Sequence, residues 1–184
     1  MLTTVQRIQA ILAIVLGLLG LPQAGWVAYD LFIGGGRFET LSFLVQDFGQ
    51  YPTFIGAVDL VGLIWRILTL ILMLLVGLVT SAGAVVGGGV ALSGRLLFLR
   101  YAALACFLHV ALVEAFGQGV NWSLAVGNIV QYPPGVTELP AVVGFQLYYW
   151  LIPIGLAILR LAFWEWTWLS ARAQPVTAED VRSM

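Results

Sequence analysis

The chain has 184 residues, 61% of them hydrophobic and only 9% charged, which leaves too little polar surface to cover a water-soluble fold of this size. The formal net charge of −1 offers no basic face for nucleic acid. The single cysteine, Cys106, excludes an internal disulfide, paired-thiol redox chemistry and a cysteine-based metal cluster.

Four apolar stretches, at about 8–32, 55–79, 96–117 and 142–168, are long enough to cross about 30 Å of hydrocarbon at 1.5 Å per residue. The expected fold is an all-α integral membrane protein, a single four-transmembrane-helix bundle over 1–169 with a tail at 170–184. The first stretch has Arg7 before it and "PQAG" after it, like a secretory signal, but the cleavage site is poor and a retained signal anchor is expected. Pro22 and Pro153 should kink their helices, because each removes a backbone donor and crowds the preceding turn.

Between the first two spans, Phe38, Leu41, Leu44, Val45 and Phe48 recur at helical spacing, so 37–51 reads as a short helix lying on the outer membrane surface. The second span, "VDLVGLIWRILTLILML" (58–74), carries Asp59 and Arg66, seven residues apart on one helix face. An unpaired Arg there costs about 2.5–3.5 kcal/mol even on a lenient insertion scale, so Arg66 is expected to meet Asp59, His109 or Glu114, the last two from the third span. After it, "SAGAVVGGGVALSG" (81–94) places Gly83 and Gly87 four apart, a spacing that lets helices pack closely, and a break is expected near Gly87–Gly89. The glycines do not form a phosphate loop, since the Lys-Ser/Thr pair and a preceding strand are missing.

The 117–140 connection suggests a second short interfacial or re-entrant helix capped by Asn121, and Asn121-Trp122-Ser123 matches a glycosylation acceptor. Gln50-Tyr51-Pro52 recurs as Gln131-Tyr132-Pro133, although the surrounding sequences align poorly. In the fourth span Tyr148, Tyr149 and Trp150 at one end and "FWEWTWLS" (163–170) at the other form two aromatic belts. Arg160, Trp164 and Trp168 recur every four residues, which favours anchoring or an anionic-lipid site at the interface. Thr177 and Asp180 offer a capping pair in the tail. Arg7, Arg95, Arg100, Arg172 and Arg182 face one side against Arg37 on the other, so both termini are expected in the cytoplasm. All eight cations are Arg, which with 21 Gly fits a GC-rich bacterial coding bias and a bacterial cytoplasmic membrane.

No nucleophile stands beside a base and no metal-ligand cluster is visible, so a non-enzymatic role is expected. The leading expectation is a scaffold or accessory subunit of a larger membrane assembly, an energy-converting one among the options, in contact with lipid and with other subunits or copies of itself. The alternatives are a small transporter or ion channel using Asp59, Arg66 and Glu114, and a subunit binding haem or chlorophyll through His109. No cofactor is otherwise expected.

Overall fold

Thr3 caps the first helix reciprocally: its Oγ1 accepts from the Gln6 N–H at 3.2 Å, and its own N–H donates to Gln6 Oε1 at 2.9 Å. From this cap α1 runs over Thr4–Phe32 with Pro22 inside it. The computed structural model describes residues 2–33, 37–118 and 139–172. Within them follow α2 (Arg37–Gln50), α3 (Phe54–Leu92), α4 (Leu97–His109) continuing as a π-helix (Val110–Gln118), and α5 (Leu139–Arg172) with Pro153 inside it. No strand occurs among the described residues, and four of the helices are long and apolar enough to cross a membrane. The expected helix beginning at Asn121, the second Gln-Tyr-Pro and the Thr177–Asp180 cap all lie outside the described residues.

Small residues set the packing. A Cβ on Gly88 would fall 2.6 Å from the Ala10 carbonyl, and one on Gly17 would fall 2.7 Å from that of Ser81, so α1 and α3 run antiparallel with backbones nearly touching. Gly87 makes the equivalent approach to α4, 2.9 Å from Ala102 Cβ and from the Phe98 carbonyl, and Gly83 faces Ala105 of the same helix. These contacts correct the expected break at Gly87–Gly89. Packed glycines lose the freedom that would let them interrupt a helix, so α3 continues for 39 residues. The chain turns instead at Gly94, whose φ of 101° is open to glycine.

Two apolar clusters fill the bundle. Ala10, Ala13, Leu16, Ala84, Ala102, Cys106 and Phe163 form one, while Val27, Leu31, Ile67, Leu70, Met73 and Val113 form the other. The second cluster sets the last turns of α1 level with Ile67 and Leu70. The turns of α3 that precede Ile67 therefore extend beyond α1, by about 18 Å at 1.5 Å per residue. Along this projection lies α2, with Phe48 beside Gly56 and Leu41 against the second cluster. Its half-buried Leu41 and Phe48 thus meet protein, where the amphipathic pattern alone suggested a lipid surface.

Candidate functional site: a polar network joining the long helices

Near the middle of the bundle, each long helix contributes a polar side chain to one connected group. From α5, Arg160 is 1% exposed; its Nη1 donates to Glu114 Oε1 at 3.0 Å and its Nη2 to the Leu16 carbonyl at 3.5 Å. From α1, the Gln23 Nε2 amide donates to the same Glu114 oxygen at 2.8 Å. The carboxylate is therefore satisfied on one oxygen by two helices. Its Oε2 is buried with no hydrogen-bond partner among the described residues, and so is the nearby Ser81 Oγ.

His109 continues the chain. Its Nε2 lies 3.3 Å from Gln23 Oε1 and its Nδ1 2.8 Å from Thr80 Oγ1. Because an amide oxygen only accepts, the Gln23 contact assigns a proton to Nε2. The Thr80 hydroxyl then has three competing acceptors, the Nδ1 lone pair and, in the preceding turn, the Val76 carbonyl at 2.7 Å and the Gly77 carbonyl at 3.3 Å. Neutral imidazole accepts the hydroxyl's hydrogen bond at Nδ1, whereas imidazolium would leave the hydroxyl to donate to the backbone carbonyls. One hydroxyl rotation separates the two patterns. Gly20 makes room for the group: a Cβ there would collide with Ser81 Oγ and fall 3.2 Å from Arg160 Nη2 and 3.3 Å from His109 Cε1.

The π-helix explains how two residues five apart both reach this centre. In an α-helix five residues turn through 500°, leaving side chains about 140° apart. A π-helix bonds i to i+5, and at about 4.4 residues per turn the separation falls to about 50°. His109 is the last α-helical residue and Glu114 lies in the π segment, with His109 Nε2 4.0 Å from Glu114 Oε1.

Of the expected charge cluster, the structure brings together His109 and Glu114 but separates both from Asp59 and Arg66. Asp59 is exposed on the projecting part of α3. Arg66 lies one residue before Ile67, which packs with Val27 and Leu31, so it stands at the Asp30 end of α1 and away from the network. The partner expected from Arg66 is supplied by Arg160, which was expected at the interface with Trp164 and Trp168. Its long side chain turns inward to Glu114, leaving Trp164 against Phe107 at 4.8 Å and Trp168 at 6.4 Å from Trp164, ring centre to ring centre. Gln23, Thr80 and Ser81 were missed. Their signal was an uncharged polar residue inside an apolar span, which reads as interhelical glue.

Both His109 nitrogens are engaged within the protein, so axial ligation of a haem or chlorophyll would require breaking one of these contacts. Among the described residues no group of three or more His, Cys, Asp or Glu side chains is arranged to hold a metal. Comparison with protein-family models, with curated proteins and with solved structures gives no match.

Proposed function

We propose that the protein is an integral membrane scaffold or accessory subunit of a larger membrane assembly, anchored by its four long helices and meeting its partner through the projecting part of α3. The placement of charge supports the membrane reading. Between Arg7 and Asp30 α1 carries no charged residue over about 34 Å of helix, which matches a hydrocarbon core of about 30 Å. Asp30, Arg37 and Arg66 then lie at one boundary, and Arg7, Arg95 and Arg100 at the other. The Arg asymmetry puts both termini in the cytoplasm and the α2–α3 hairpin on the outer side of a bacterial cytoplasmic membrane.

The observation that carries the subunit role is the apolar surface of this hairpin. Beyond the Asp30 boundary, Phe54 is 84% exposed, and Ile55, Val58, Val61 and Trp65 are exposed with it. Ala57, Val58, Val61, Gly62 and Trp65 line a shallow open groove whose small residues admit another helix, and Asp59 adjoins it as a polar contact. An apolar helix of a neighbouring subunit fits this surface, which projects past the lipid. The polar network supplies the rigidity such a subunit needs, because it holds all four long helices together. Native mass spectrometry from gently solubilised membranes tests the reading. A defined complex that Val61→Glu dissociates supports it; a lone species from wild-type membranes rejects it.

A second reading, proton or ion transport, is favoured by Glu114, whose Oε2 is buried with no hydrogen-bond partner among the described residues and whose Oε1 lies 4.0 Å from His109 Nε2. Proton flux in proteoliposomes that Glu114→Gln abolishes, without loss of the fold, would favour it over the scaffold.

A further inference from the structure

Among the described residues where the end of α1 meets the start of α2 and the Arg66 turn of α3, two cations stand against one anion, Asp30. Arg37, buried at the start of α2, donates through Nη2 to Asp30 Oδ1 and through Nε to the Asp30 carbonyl at 3.0 Å. Arg66 comes from α3, one residue before Ile67, which packs with Leu31 of α1 in the second apolar cluster, and its Nε is buried with no hydrogen-bond acceptor among the described residues. Glu39 and Asp59, the nearest other acids along α2 and α3, are exposed. A buried guanidinium N–H without an acceptor is costly, and the positive N-terminal end of α2 raises the local potential further.

We propose that this joint binds a phosphate group, held by Arg66 with Arg37 and shared with Asp30. Guanidinium recognises phosphate through parallel N–H bonds, and a second Arg nearby reinforces a dianionic or diester oxygen cluster. The site lies at the level of the aromatic pairs Trp26–Tyr29 and Phe32–Phe38, the side chains that favour a headgroup layer. A phospholipid headgroup is one source of that phosphate and the free ion is the other. The lipid source rests on the membrane placement proposed above; binding of the free ion does not.

The experiment uses the full chain in a neutral detergent and phosphate-free buffer. Thermal shift and native mass spectrometry are read with inorganic phosphate, with phosphatidylglycerol, and with a phosphate-free glucosyl diacylglycerol. Phosphatidylglycerol should stabilise the protein as a one-to-one adduct and the glycolipid should not. Stabilisation by inorganic phosphate as well assigns the free ion; stabilisation by phosphatidylglycerol only assigns the lipid. Arg66→Gln should weaken binding at least tenfold, and Arg95→Gln, at the opposite end, should leave it unchanged. Asp30→Asn should tighten binding, because the competing carboxylate is gone, and it keeps the test decisive if Arg66→Gln fails to fold. The proposal is overturned if neither phosphate probe binds, or if Arg66→Gln and Asp30→Asn bind as the wild type does. Failure of the membrane placement would appear separately, in the labelling experiment described below.

Discussion

Arg160 and Glu114 meet at 3.0 Å across the bundle although 46 residues separate them in the chain. Neither is solvated, so each depends on the other for its charge to be tolerable. Arg160→Leu leaves the Glu114 carboxylate buried with only the Gln23 amide, and should cost about 3–5 kcal/mol of stability. Adding Glu114→Gln removes the stranded charge and should recover part of that loss. Thermal unfolding in detergent measures the cycle, and strictly additive losses would break the assignment. Arg66→Leu, outside this network, should cost less than Arg160→Leu.

The glycines of α1 offer a sharper steric test. Gly20→Ala drives a methyl into the Ser81 side chain, and overpacking of this kind costs about 1–3 kcal/mol. Ser81→Ala should rescue it, since the obstructing Oγ is removed. Gly17→Ala meets the Ser81 carbonyl and the Val85 backbone nitrogen instead, so the same second substitution should give no rescue. Rescue of both, or of neither, would contradict the helix register.

The hydroxyl of Thr80 is the only partner of His109 Nδ1 among the described residues. Thr80→Val preserves shape and removes the hydroxyl, and should cost about 1–3 kcal/mol, the penalty for a buried polar atom left unsatisfied. Thr80→Ser should behave nearly as wild type. Nitrogen NMR of labelled imidazole gives an independent reading: at neutral pH the proton should reside on Nε2, and Thr80→Val should shift the Nδ1 resonance while leaving Nε2 nearly in place.

Topology can be tested with cysteines at two exposed serines, Ser42 on α2 and Ser93 at the turn after α3. With Cys106 replaced, an impermeant reagent added to intact cells should label Ser42→Cys and spare Ser93→Cys. Reaction of both from the same side would overturn the proposed orientation and the membrane placement with it.

Long apolar runs made the four principal helices legible, because a stretch such as 96–117 allows few alternatives to helix. Three readings failed for identifiable reasons. The glycines near Gly87 resemble a break unless Ala10, Phe98 and Ala102 are known to press on them, and that knowledge is tertiary. Arg160 resembles an interfacial anchor when counted along α5, yet a long side chain can reach inward by several ångströms. The third is the cation that serves Glu114, expected as Arg66 and found as Arg160, because the helix register sets Arg66 at the Asp30 end of the bundle. His109 and Glu114 were expected in one cluster, but the π-helical turn that brings them to one face leaves no 3.6-residue signal. Gln23 was legible in kind, as an amide among aliphatic residues, but its double contact to Glu114 and His109 requires the fold.

The order of the network along the chain has a consequence for biosynthesis. Gln23, Thr80, His109 and Glu114 all leave the ribosome before Arg160. A nascent chain that has inserted only its first helices therefore carries a carboxylate whose cation has not yet been made. Under the proposed membrane placement, Glu114 meets the cation that compensates it only when Arg160 of α5 arrives. A chain truncated before Arg160 would keep an uncompensated acid within its apolar helices, a mark by which quality-control proteases could tell an unfinished copy from a finished one.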